Sequence, residues 1–136
     1  MSYEFDFDST NRILRCRFEG RVTAEELRDY LQIVGRYIAI TGPRGGITDL
    51  SAVTTVEATY EAIRRLAKIK PAVPLMDRPR IVLAASDHIY GITRMFEIEA
   101  EDLRPNLHVV RTWNEAGAIL GVQEFHFEPI PEGQPC

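Results

Sequence analysis

Tyr3, Phe5 and Phe7 alternate with Glu4, Asp6 and Asp8, and Leu14, Cys16 and Phe18 alternate with Arg15, Arg17 and Glu19. A period of two marks strands that lay one face on a core. Asp8-Ser9-Thr10-Asn11 between them has turn chemistry, so the two runs predict an antiparallel hairpin. Gly20 reads as the end of its second strand. The period then lengthens: Leu27, Tyr30, Leu31, Val34 and Ile38 recur at helical spacing. Thr23-Ala24-Glu25-Glu26 ahead of them is a capping box, with Val22 and Leu27 at the staple positions. Gly42-Pro43 predicts the stop.

Residues 47–50 predict a third strand, followed by a hydroxyl-rich turn and a helix from Tyr60 that ends before Pro71. Lys70-Pro71-Ala72-Val73-Pro74 reads as extended loop, because proline disfavours helix in the residue before it. The run Ile81-Val82-Leu83-Ala84-Ala85 is apolar at every position, which suits an interior strand covered on both faces. Ser86-Asp87 starts a third helix, with Ile89, Ile92, Met95, Phe96 and Leu103 for its inner side. Residues 107–110 form the last sheet strand. Thr112-Trp113-Asn114-Glu115 caps a short fourth helix that Gly121 closes. Glu124-Phe125-His126-Phe127 predicts a marginal edge strand, with a loose proline- and glycine-rich end from Pro129 onward. The order β-β-α-β-α-β-α-β-α predicts an α/β domain over residues 1–121, with a tail over 122–136. Its four helices cover a mixed sheet whose later strands are mainly parallel.

Bulk properties narrow the field. The 136 residues fit one domain with a sizeable core, and an apolar fraction of 45% is ordinary for a globular chain. A net charge of −4 gives no general attraction to nucleic acid or anionic membranes, although Arg64, Arg65, Arg78 and Arg80 suggest a local basic patch. No apolar run approaches the roughly 20 residues of a bilayer span, and the acidic N-terminus is unlike a secretion signal. A cytoplasmic location is the expectation. Cys16 and Cys136 lack metal-ligand spacing, and Cys16 reads as a buried thiol.

The hydroxyls Ser51, Thr54, Thr55 and Thr59 crowd the predicted strand-to-helix junction, where helix N–H groups favour anions. Thr54 and Glu57 also have capping-box spacing, so a capping role for Thr54 or Thr59 competes with a binding role. Asp49 at the strand end is suited to bonding the following turn, or to orienting a ligand. Ser86, Asp87 and His88 are consecutive, which disfavours a relay whose side chains must converge on one imidazole. Ser86 or Asp87 as cap and His88 as surface group is the simpler reading. Tyr90 and Arg94 share a helical face, and Arg94 has Glu97 and Glu101 as ion-pair partners in reach, with anion recognition as the alternative. The three histidines are scattered, so no metal or cofactor is expected.

Four segments carry a family resemblance: Glu19-Gly20-Arg21-Val22-Thr23, Thr48-Asp49-Leu50-Ser51, Tyr90-Gly91-Ile92-Thr93-Arg94-Met95-Phe96 and Trp113-Asn114-Glu115-Ala116. With the element order, they make the chain resemble the SpoIIAA-like family, related to the STAS domains of anti-sigma factor antagonists and compared with CRAL-TRIO lipid-transfer folds. The resemblance implies a non-enzymatic regulatory domain with a protein partner. Gapless matching from Asp49 places Thr59 on the phosphoacceptor of that pattern, Glu57 on its aspartate and Ala58 on its first serine. Tyr60 stands where the pattern has glycine. The CRAL-TRIO comparison implies the alternative, a carrier of a small apolar or lipid-like ligand. A deep apolar cavity beneath the third helix favours the carrier, and a filled core with an exposed junction favours the interaction domain. A hydrolase built from Ser86, Asp87, His88 and Asp49 ranks last. The alternating tail phenylalanines suggest a pairing edge for a homodimer.

Overall fold

The computed structural model describes residues 3–71 and 78–130. Strands β1 (Tyr3–Asp8) and β2 (Ile13–Thr23) form the expected antiparallel hairpin, with Phe5 opposite Cys16. The buried Asp8 carboxylate organises the turn, accepting from the Asn11 main-chain N–H at 2.9 Å and its Nδ2 at 2.7 Å. The chain leaves this turn through Arg12, whose φ of 61° is left-handed. Helix α1 (Ala24–Thr41) then begins at the Thr23–Glu26 capping box and closes on Gly42, where a φ of 57° suits a residue without Cβ.

Three crossovers follow, through α1, α2 (Tyr60–Ala67) and α3 (Asp87–Glu99), carrying the chain from β2 to β3 (Gly45–Glu57), β4 (Arg80–Leu83) and β5 (Leu107–Val110). These pairings are parallel, whereas β1 and the two-residue β6 (Glu128–Pro129) pair antiparallel. The result is one mixed six-stranded sheet in the order β5-β4-β3-β2-β1-β6. Four helices cover it: α1, α2 and α3 on one face, α4 (Trp113–Leu120) on the other.

The two cores follow from side-chain alternation. Leu14, Cys16, Phe18, Leu50 and Val82 point into the three-helix layer, while Ile13, Ile47, Ile81 and Leu83 meet Ala116 and Leu120 of α4. Strand β4 is therefore apolar on both sides and lies inside the sheet, as its sequence requires.

Two strands are longer than their sequences suggested, for one shared reason. Gly20 does not end β2; with φ at 69° it marks an irregularity, and the strand runs on to Thr23. Residues 51–57 are likewise not a turn, because β3 continues beside that extension as far as Glu57. The register slips twice: Arg17 and Glu19 face Asp49 and Ala52, then Gly20 and Arg21 face Val53 and Thr55. Each time β3 has one residue more than β2, the signature of a bulge.

The tail also differs from expectation. Strand pairing falls at Glu128–Pro129, after the two phenylalanines, and it joins β1 of the same chain. Phe125 and Phe127 lie outside that strand and turn inward, stacked 5.4 Å apart and packed beside Trp113. The loose end over 131–136 and the loop positions 72–74 lie outside the described residues.

Candidate functional site

Asp49 lies inside β3, aligned with Leu83 of β4 and Arg17 of β2. Its Oδ1 accepts from the Ser51 main-chain N–H at 3.0 Å and the Ser51 hydroxyl at 2.6 Å. This local bond takes the Ser51 N–H away from the strand ladder and shapes the first bulge. The other carboxylate oxygen lies 3.6 Å from Arg15, whose guanidinium also binds the buried Asp6 at 2.5 and 2.9 Å. Phe127 covers this cluster, its ring 4.3 Å from the guanidinium carbon. Asp49 is an internal strut of the α4 side; it bonds the Ser51 main chain nearby as its sequence position suggested, but at a bulge inside β3 and not at a turn beyond the strand end.

The hydroxyl-rich segment divides. Thr54 is the extra residue of the second bulge and cannot start a helix, so the Thr54–Glu57 capping box does not form. Glu57 instead pairs with Arg21 at 3.1 Å. Thr59 is the cap, its hydroxyl accepting from the Ala62 N–H at 3.0 Å. Ser51, Thr54, Thr59 and Tyr60 are all exposed. Replacing Thr59 by alanine is expected to cost about 1 kcal/mol, and the same change at Thr54 close to nothing. Denaturant melts of the two variants read this directly; equal losses would mean that the cap does not hold in solution.

Ser86, Asp87 and His88 have separate roles. The Ser86 hydroxyl caps α3 through the Ile89 N–H, and Asp87 pairs with Arg111 at 2.5 Å. His88 is exposed, and no hydrogen bond or ion pair joins it to Asp49, Ser51 or Ser86 among the described residues. Arg94 pairs with Glu97, while the Tyr90 ring receives Arg111 rather than Arg94. Asp49 and Ser51 are thus joined by direct hydrogen bonds, while the other predicted site residues do not converge on them. Among the described residues no group of three or more His, Cys, Asp or Glu is placed to hold a metal ion, and no helix is long and apolar enough to cross a membrane.

What sequence reading missed lies between the helices and the sheet. A cavity of about 140 Å³ runs under α1, α2 and α3, its wall including Val34, Ile38, Val53, Leu66, Ile92 and Phe96. Cys16 and Tyr30 also line it. Burial and the neighbouring Asp6 and Asp49 push the Cys16 thiol well above its ordinary range, which keeps it protonated. Burial likewise pushes the Tyr30 phenol up to about 12, and its hydroxyl shares a 2.8 Å hydrogen bond with Thr48. At neutral pH both groups are uncharged.

One sector of the cavity wall is basic, where β3 and β4 begin. Arg78, Arg80 and Arg104 meet it there, near Gly45, Gly46 and Leu107. Arg78 donates to the Pro43 carbonyl at 2.8 Å and Arg104 to that of Ile69 at 2.7 Å. Arg104 is only 7% exposed and stands 5.7 Å from the Phe96 ring. Burial, then the charge of Arg80, lowers its pKa. Every ion pair among the described residues uses another arginine: Arg15, Arg17, Arg21, Arg64, Arg94 or Arg111. The suspected basic patch therefore splits. Arg64 pairs with Glu61 and Glu99, and neither it nor Arg65 lines the cavity, whereas Arg78 and Arg80 join Arg104. Arg104 carried no sequence signal, since it belongs to a loop after α3.

Compared with protein-family models and with curated protein sequences, the chain matches none.

Proposed function

We propose that this domain binds a small apolar molecule without transforming it, as a carrier or as a sensor of that molecule. The cavity carries the reading: about 140 Å³ of space walled mainly by aliphatic and aromatic side chains. Protein interiors normally close such space, because lost packing costs stability. An apolar cavity of about 150 Å³ is enough to take up benzene. Filling the space should abolish uptake with little penalty. Val34→Phe adds its extra atoms there, so its stability is expected to stay within about 1 kcal/mol of wild type, against the 1–3 kcal/mol typical of overpacking a full core. Titration calorimetry with octanol supplies the binding half of the test. Uptake by wild type that the variant lacks supports the reading, and a strongly destabilised variant would mean the core has no room.

A second reading draws on the exposed surface formed by Ser51, Thr54, Thr59 and Tyr60. Tyr60 is 57% exposed, directly after the Thr59 cap. That surface suits a protein partner of the kind the SpoIIAA-like resemblance implies, with Thr59 as the phosphoacceptor. An occupied cavity beneath α2 would then be the input that such a partner reads.

A further inference from the structure

An apolar cavity needs no arginine. Three arginines line one end of this one, and with no carboxylate partner among the described residues they form the least explained feature of the molecule. Each guanidinium offers five N–H donors. Arg78 and Arg104 each spend one on a main-chain carbonyl, and among the described residues the Arg80 side chain makes no hydrogen bond or ion pair. Arg104 bears the largest cost, since a nearly buried cation without a counter-charge is unfavourable. The Tyr30 phenol, held neutral by burial, does not supply that charge.

An anion would relieve this arrangement. Arginine matches carboxylate and phosphate oxygens through its planar fork, and such bonds strengthen away from water. The opposite part of the wall, around Val53, Val56 and Ile63, is apolar. Polar and apolar recognition thus occupy different ends of one space.

We propose that the occupant is an anionic amphiphile, with a carboxylate or phosphate head on Arg78, Arg80 and Arg104 and a short apolar body lying under α1–α3. This rests on the reading that the cavity takes up apolar molecules and adds the chemistry of the head. A volume close to that of a benzene-holding cavity fits a body of about six to eight carbons.

Calorimetry on the full chain with octanoate, octyl phosphate, octanol, octylammonium and inorganic phosphate separates the alternatives. Octanoate and octyl phosphate are expected to bind at least about tenfold tighter than octanol, with octylammonium the weakest of the octyl compounds. Arg80→Met keeps the apolar stem and removes the charge; it should erase most of that advantage, read as the ratio of octanoate to octanol affinity within the variant. Raised salt should weaken octanoate and not octanol. Octanol equal to octanoate, or a preference for octylammonium, would overturn the head-group inference and leave the cavity reading standing. Inorganic phosphate bound as tightly as octyl phosphate would show a site for free anions and overturn the amphiphile. Val34→Phe decides the other question: unchanged binding of every octyl compound would overturn the cavity reading itself.

Discussion

Replacing Arg15 by leucine is expected to remove about 3–5 kcal/mol of stability, a large share of what a domain of this size possesses. Arg15 bridges two carboxylates from different strands, Asp6 of β1 and Asp49 of β3, whose side chains are 2% and 4% exposed. Leucine would leave both without their cation and out of reach of bulk water. The Ser51 bonds to Asp49 would remain, so the greater penalty falls on Asp6. Adding Asp6→Leu to the same chain should recover part of the loss, since apolar replacements of a buried pair are often neutral. Denaturant melts of the single and double variants test both statements. A loss under about 1 kcal/mol in the single variant would mean that water reaches the cluster.

Truncation after Gly121 should be comparably damaging. The segment that follows contributes Val122 to the α4-side core and sets Phe125 and Phe127 against Trp113. Losing one buried and two half-buried apolar side chains is worth on the order of 5 kcal/mol. The tail also holds the hairpin turn: the His126 N–H donates to Asp8 at 2.9 Å, and Asn11 donates to the Glu124 carbonyl at 2.9 Å. Burial alone would raise the Asp8 pKa, but hydrogen bonds from Asn11 and His126 bring it below the usual aspartate value. A depressed carboxyl stabilises the fold fully above its unfolded pKa of about 3.9, and that share disappears as pH falls through the lower folded value. The truncated chain should therefore melt earlier at neutral pH and show a shallower further decline below about pH 4. Unchanged melting would mean that the domain ends at Gly121, as its sequence first suggested.

The sequence spoke clearly where chemistry is local. Thr23 with Glu26, Ser86, Thr112 with Glu115 and Gly121 each signal a helix end within four residues, and each cap forms. The alternation in β1 and β2 and the unbroken apolar run of β4 likewise depend only on which faces are covered. Asp49-Leu50-Ser51 misled because its turn-forming bond is present, yet the strand survives it as a bulge. Recognising that requires knowing that β2 also continues past Gly20, a fact about the partner strand. The cavity was less visible still. It depends on how far three helices stand from the sheet, and Arg104 reaches it from a loop with no pattern of its own.

The strand order bears on how the protein is made. Strands β2 to β5 enter the sheet in the order in which they are synthesised, so each docks on an edge formed just before it. The free side of β1 has no such neighbour until residues 124–129 return to it, with bonds spanning 113 and 118 positions. A ribosome adding about 5–20 residues per second leaves that edge unpaired for several seconds. During that interval it is the place where two nascent chains would join. Asp6 already has Arg15 opposite it in the hairpin, but Asp8 lacks its His126 bond until the tail closes, and its negative charge beside the open edge works against the joining of like chains in the meantime.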